Sequence, residues 1–297
     1  MRFTRNVYEA ISLTTRSLLA QRAHVRILMY HRIQARPGGG GYLRPEWFVR
    51  HMEYLSGKGF RSYRLCDLRD GWPDVLGGPP AVVLTFDDAW ASHVDVVLPC
   101  LKEHGLVGTF FVATDHTEDQ RHRPRYGGLA DFESDLASWA DVAKLLHAGM
   151  EIGAHTHTHS RLSELPAEQV AEELSAPRRI LAEKLGCPVV SMAYPRGDRR
   201  SFTDQVVRAA AQAGYQVACT TIWGCPTRAS DLLQLPRIDI NGFDDPARFA
   251  RKMKGHYDFL RWIRRWRSSP PRAHCGIVAQ TWDDERIPTC LADYGWS

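Results

Sequence analysis

Two adjacent carboxylates, Asp87 and Asp88, follow the apolar run AVVLTF (81–86) directly. At the end of a buried strand such a pair repels itself unless a cation meets it. A second apolar run, MEIGAH (150–155), ends on His155, with His157 and His159 close behind. Imidazoles four residues apart on one turn can share a metal ion. Two imidazoles and one carboxylate form a three-ligand site that leaves positions open for water, as catalytic metals require. Zn²⁺ suits that donor set best, and Co²⁺, Ni²⁺ or Fe²⁺ would also fit. The cation would neutralise one aspartate and leave the other available as a base. A helix N-cap would explain either aspartate alone. It does not explain the pair together with histidines at a second strand end.

The elements that must position these groups alternate. Apolar strand candidates lie at 26–30, 81–86, 108–113, 150–155, 189–195, 215–220 and 233–240, with helical patterns between them. Val94, Val97, Leu98 and Leu101 follow one helical stripe, and Val142, Leu145 and Leu146 another. Gly105, Gly149, Gly186 and Gly214 stand just past helical patterns, where a left-handed cap favours glycine. Ser138 to Asp141 (SWAD) reads as a capping box. Strand alternating with helix predicts an α/β fold with seven parallel strands, open or closed into a barrel, and its chemistry at the carboxyl ends of the strands. Segments 35–45, 70–80 and 114–128 read as loops, the third rich enough in His and Arg to line a polar cleft.

LTFDDAW, EIGAHTHTHSRL and AYPRGD, in that order, resemble the first three motifs of the polysaccharide deacetylase family, also called carbohydrate esterase family four. LMYHRI, ASWADVAKLLHAGMEIG and LQLPRI extend the likeness over roughly 26–240. The resemblance implies a distorted (β/α)7 barrel. It implies Asp87 as catalytic base, Asp88, His155 and His159 as metal ligands, and His157 as a spacer pointing elsewhere. It further implies a substrate groove lined by Trp90, Tyr194, Pro195 and Arg196, with the Tyr194 backbone N–H helping to hold an oxyanion. Ala89 stands where the family usually has glycine, a mild change unless the backbone there needs a positive φ. AYPRGD lacks the arginine that normally flanks the base, so Arg237 of LPRI, or else Arg196, would hold Asp87. No late motif supplies the usual acid histidine, since His256 and His274 sit in other contexts. The likeness to members acting on exopolysaccharide amino sugars instead implies His31, at the end of the first strand, as the acid.

The 297-residue chain, 44% hydrophobic and 24% charged with a net charge of +4, is long enough for one large domain and carries no concentrated basic footprint for nucleic acid. The expected organisation is a basic helical segment over 1–25, a barrel domain over 26–245 and a C-terminal helical extension over 246–297. Within the extension, residues 256–272 mix Phe259, Leu260, Trp262, Ile263 and Trp266 with five arginines. That composition suits peripheral contact with an anionic inner-membrane face. Seven cysteines without a C-x-x-C pair suggest free thiols. Polar residues interrupt the N-terminus too often for a signal peptide, so the location expected is cytoplasmic. The expected activity is metal-dependent removal of an acetyl group from an N-acetylated amino sugar in a glycan or lipid-linked sugar. O-deacetylation, another amidase activity and non-catalytic carbohydrate binding are the alternatives.

Overall fold

The structure is a computed structural model that describes residues 25–34, 42–73, 78–115 and 136–260. Its strands are β1 (Val25–Tyr30), β2 (Arg32–Ile33), β3 (Tyr42–Leu43), β4 (Arg61–Tyr63) and β5 (Ala81–Phe86). There follow β6 (Thr109–Val112), β7 (Glu151–Ala154), β8 (Ser191–Ala193), β9 (Val217–Trp223) and β10 (Leu235–Asp239). Seven of them form a parallel ring in the order β1-β10-β9-β8-β7-β6-β5. Pairing of β1 with β5, from Val25 opposite Ala81 to Tyr30 opposite Phe86, closes it. The short strand β4, which has no counterpart in the sequence pattern, pairs Ala81–Val83 on β5, whereas β6 pairs Thr85 and Phe86.

Strand parity decides what enters the ring. Side chains alternate between faces along a strand, and Val25, Ile27, Ala81, Val83, Phe111, Ala193, Val217, Cys219 and Leu235 meet in one buried cluster. Carried forward two residues at a time, the same inward phase reaches His31 after β1, Asp87 after β5, His155 after β7 and Arg237 within β10. Four polar groups from four strands therefore converge on the C-terminal mouth by alternation, although the β9–β10 register shifts between Leu235 and Arg237. Phe111 floors that mouth, with the Arg237 guanidinium carbon 5.8 Å from its ring centre. The interior is tight there: a Cβ on Gly153 would lie 2.7 Å from the Phe111 ring.

Helices α1 (Pro45–Gly57), α2 (Asp67–Asp70), α3 (Leu98–Glu103), α4 (Trp139–His147), α5 (Ala167–Leu185), α6 (Asp204–Gln212) and α7 (Pro246–Met253) surround the ring. The SWAD capping box opens α4, with Ser138 and Asp141 bonded reciprocally. Gly105, Gly149, Gly186 and Gly214 all have positive φ, as expected of left-handed caps. The Val94 stripe needs correcting. Residues His93–Val97 form a π turn ahead of α3, in which Leu98 donates to the His93 carbonyl. Pro99 lacks the N–H that α geometry would use to reach Asp95. The wider turn shifts the buried face to His93, Val97, Cys100 and Leu101.

Beyond β10 the chain stays on the ring. Phe249 of α7 stacks on His51 of α1 at 3.9 Å, and buried Lys252 pairs with Asp244 at 2.7 Å. Arg26 grips Asp258 through two 2.9 Å bonds, and Trp223 donates to the Tyr257 carbonyl. The predicted amphipathic stretch is thus described only as far as buried Leu260. Its remainder, the 1–24 segment and most of the 114–128 loop lie outside the described residues. No helix among the described residues is long and apolar enough to cross a membrane. The five cysteines among them are free thiols.

Candidate active site and metal centre

Asp87 is 1% exposed, and its two carboxylate oxygens accept from the Arg237 guanidinium at 2.7 and 2.8 Å. Arg237 is itself held from behind: its Nε donates to the Thr220 carbonyl at 2.8 Å and its Nη1 also to the Thr85 hydroxyl at 3.1 Å. Burial by itself would raise the Asp87 pKa, but the Arg237 charge outweighs it and holds the carboxyl below its ordinary value. Between the two arginines proposed from sequence, β10 parity selects Arg237. Arg196 is exposed on the loop after β8 and does not meet Asp87.

Asp88 falls on the outward parity of β5, and a left-handed backbone (φ 75°) turns it back toward the mouth. There its Oδ1 lies 3.5 Å from His155 Nε2 and 3.4 Å from His159 Nε2, while the two imidazole nitrogens are 3.2 Å apart. His155 Nδ1 lies 2.8 Å from the Ala193 carbonyl and donates to it, which leaves the Nε2 lone pair facing Asp88. Asp88 Oδ1 is buried with no hydrogen-bond partner. One ligand atom from each of the three residues lies within 4.8 Å of the others. An orphaned carboxylate oxygen facing two imidazole nitrogens is a donor set that fits a divalent cation. Burial lowers the pKa of His159, favouring the neutral form a metal needs. At His155 burial acts the same way, but the Asp88 and Asp87 carboxylates outweigh it and raise the pKa.

His31 Nε2 stands 3.9 Å from Asp87 Oδ2 on the solvent side, with its side chain 36% exposed. Its carbonyl accepts from His93 Nε2 at 2.9 Å, and the Ser92 hydroxyl accepts from Ile33 N–H, so the π turn braces the stretch carrying His31. His157 turns away from the ligands, its Nδ1 2.8 Å from the Thr114 hydroxyl. One ring face of Trp90 is covered by the Arg32 guanidinium at 4.8 Å, and Pro195 is buried at the groove edge.

One expectation is revised and one condition is resolved. The Tyr194 N–H donates to the Cys219 carbonyl at 3.0 Å, its hydroxyl donates to the Leu233 carbonyl, and its ring stacks on Phe202. Tyr194 is a barrel residue, and its amide is not free to receive an oxyanion. Ala89 has φ 51°, which meets the stated exception: alanine there carries left-handed strain of roughly 1 kcal/mol that glycine would not. Sequence reasoning also missed Glu173 and His93. Both are polar residues on otherwise apolar helical faces, a signal that the stripes themselves contain.

A closed parallel α/β ring here collects an arginine-paired carboxylate and a metal-type triad at its C-terminal mouth, where such folds place their sites. Residues 76–218 match the sequence profile of the polysaccharide deacetylase family. The chain is 23% identical over 224 residues to YxkH of Bacillus subtilis, a proposed polysaccharide deacetylase, covering 74% of this chain and 72% of that one. It is 28% identical over 138 residues to a chitooligosaccharide deacetylase of Sinorhizobium fredii, covering 46% of this chain and 55% of that protein. Among solved structures, the Streptococcus pyogenes deacetylase PplD in complex with acetate matches with a TM-score of 0.67 and 23% identity. That match covers 78% of this chain and 99% of PplD, and supports the (β/α)7 fold.

Proposed function

We propose that this protein is a metal-dependent N-deacetylase of an acetylated amino sugar carried in a glycan or on a lipid. The observation that carries the reading is the division of labour between neighbouring aspartates. Asp87 is saturated by Arg237, whereas Asp88 leaves a buried oxygen unpartnered beside two imidazoles. Asp88, His155 and His159 would hold a divalent cation, Zn²⁺ by donor type. Such a cation supplies Lewis acidity, lowering the pKa of water toward about 7 and polarising an acyl oxygen.

The chain's own groups then divide the proton work. Asp87, kept ionised by Arg237, accepts a proton from the attacking water. His31, at the open side of the mouth, delivers a proton to the departing amine nitrogen. The Arg196 N–H, which follows buried Pro195 and finds no acceptor among the described residues, takes the oxyanion role expected of Tyr194. Trp90 and the exposed side chain of Arg196 would line the sugar side of the groove. A cytoplasmic location, with the part of 256–272 beyond Leu260 meeting the inner membrane face, would place the site near lipid-linked sugars.

Acetate release from chitooligosaccharides, acetamido-sugar glycolipids and O-acetylated glycans, with and without chelator, tests the reading. Chelator-sensitive release from an N-acetyl substrate is the expected result; release from O-acetyl substrates alone would replace the amide reading with an ester one. His31→Ala should cripple amide hydrolysis and spare an aryl acetate, whose phenolate leaves unaided. Equal losses on both substrates would remove His31 from the acid position.

A further inference from the structure

Glu173 lies in α5 on the same face as Val170, Leu174, Pro177 and Leu181, all buried against the barrel. A carboxylate on such a face must be fully compensated. Its partners all come from one place. Oε2 accepts the backbone N–H groups of His157 and Thr158, each at 2.9 Å, and Oε1 accepts the Thr158 hydroxyl at 2.5 Å. That hydroxyl also meets the Ser160 hydroxyl at 2.7 Å. The segment held in this way is the link between His155 and His159. Two of its residues, Thr156 (φ 63°) and His159 (φ 58°), adopt left-handed backbone without being glycine, a conformation that persists only where surrounding structure imposes it. His155 is fixed independently, by strand β7 and the Ala193 carbonyl. His159 lies beyond the strand, at the far end of the clamped link.

We propose that Glu173 is a positioning residue for the metal centre: by clamping the His157–Thr158 amides to α5 it sets the His159 imidazole against Asp88 and His155 and thereby fixes cation affinity. The proposal rests on the ligand assignment above. It differs from a fold-stabilising role in its target, because the clamp closes on the ligand loop and not on the barrel.

The test is titration of Co²⁺ and Zn²⁺ into chelator-stripped protein, read by competition with a chromophoric chelator and by the Co²⁺ visible absorption band. Glu173→Ala should weaken binding by roughly 10- to 100-fold, the usual cost of losing a group that orients a ligand, and should alter the Co²⁺ band. Glu173→Gln keeps an oxygen for the two N–H groups, lets the Thr158 hydroxyl reverse, and should restore affinity to within a few-fold. Wild-type affinity and an unchanged band in folded Glu173→Ala, whatever its melting temperature, would overturn the proposal. Should Glu173→Ala fail to fold, isosteric Thr158→Val carries the test: several-fold weaker binding supports the clamp, and wild-type affinity refutes it. His159→Ala separates the two layers of argument. If it binds metal like wild type, the ligand assignment fails; if it loses metal while Glu173→Ala does not, only the clamp fails.

Discussion

Asp87 and Asp88 are joined by one peptide bond yet belong to two differently built halves of the mouth. The Asp87 half rests on strand parity: β5 and β10 deliver Asp87 and Arg237 face to face, and every strong donor and acceptor between them is used. The Asp88 half rests on turns. Asp88, Ala89, Thr156 and His159 all have positive φ, and one buried carboxylate oxygen is left without a partner. The first half is complete as folded. The second has the donors for the cation proposed above, and its left-handed link is held by neighbours such as Glu173.

The largest expected effect falls on the first half. Asp87→Asn removes the proposed base while keeping shape, so turnover should drop by about 10³-fold, within the 10²–10⁴ range for a lost acid–base group. Metal content should stay stoichiometric, measured by elemental analysis beside acetate release; loss of metal together with activity would merge the two halves. Arg237→Leu should come next. It strands a buried carboxylate and is expected to cost about 3–5 kcal/mol in urea unfolding, whereas a change below about 1 kcal/mol would mean that water reaches Asp87.

A smaller effect concerns His93, which braces the His31 carbonyl. Burial lowers its pKa to about 4. As pH falls, the unfolded chain therefore takes up the proton first, near the ordinary value of about 6.5. Stability is complete above that pH and declines as pH drops toward 4, by up to about 1.4 kcal/mol per pH unit for one such group. His93→Gln retains a donor for the His31 carbonyl and cannot titrate. In chelated protein it should flatten the acid slope of the urea midpoint over that window, and an unchanged slope would contradict the buried neutral assignment. The smallest effect is Ala89→Gly, which relieves left-handed strain and should stabilise by at most about 1 kcal/mol. Destabilisation would mean that the Ala89 methyl packs usefully despite its φ.

How much of this was legible in the sequence follows the same division. Strand parity is a property of alternation, so the runs before Asp87 and His155, and LQLPRI around Arg237, located the ring and its inward groups. Turns are a property of φ, which the residue types at Ala89, Thr156 and Arg196 actively conceal; hence the mistaken weight on the Tyr194 amide, and the Ala89 reading that could only be left conditional on φ. The π turn was hidden because Val94 and Leu98 satisfy an α stripe equally well until Pro99 is considered. Glu173 could have been found as the one charged residue interrupting the apolar face of α5, and Arg237 could be preferred over Arg196 but not fixed until β10 was seen beside β1.

The central claim is that Asp88 holds the cation and Asp87 does not. Calorimetric titration of Zn²⁺ into chelator-stripped wild type, Asp87→Asn and Asp88→Asn tests it most directly. The account predicts one site of near wild-type affinity in Asp87→Asn and binding weakened by at least about 100-fold in Asp88→Asn, the upper end of what perturbing a metal site's support costs. Wild-type affinity in Asp88→Asn, or loss of the site in Asp87→Asn, would contradict it.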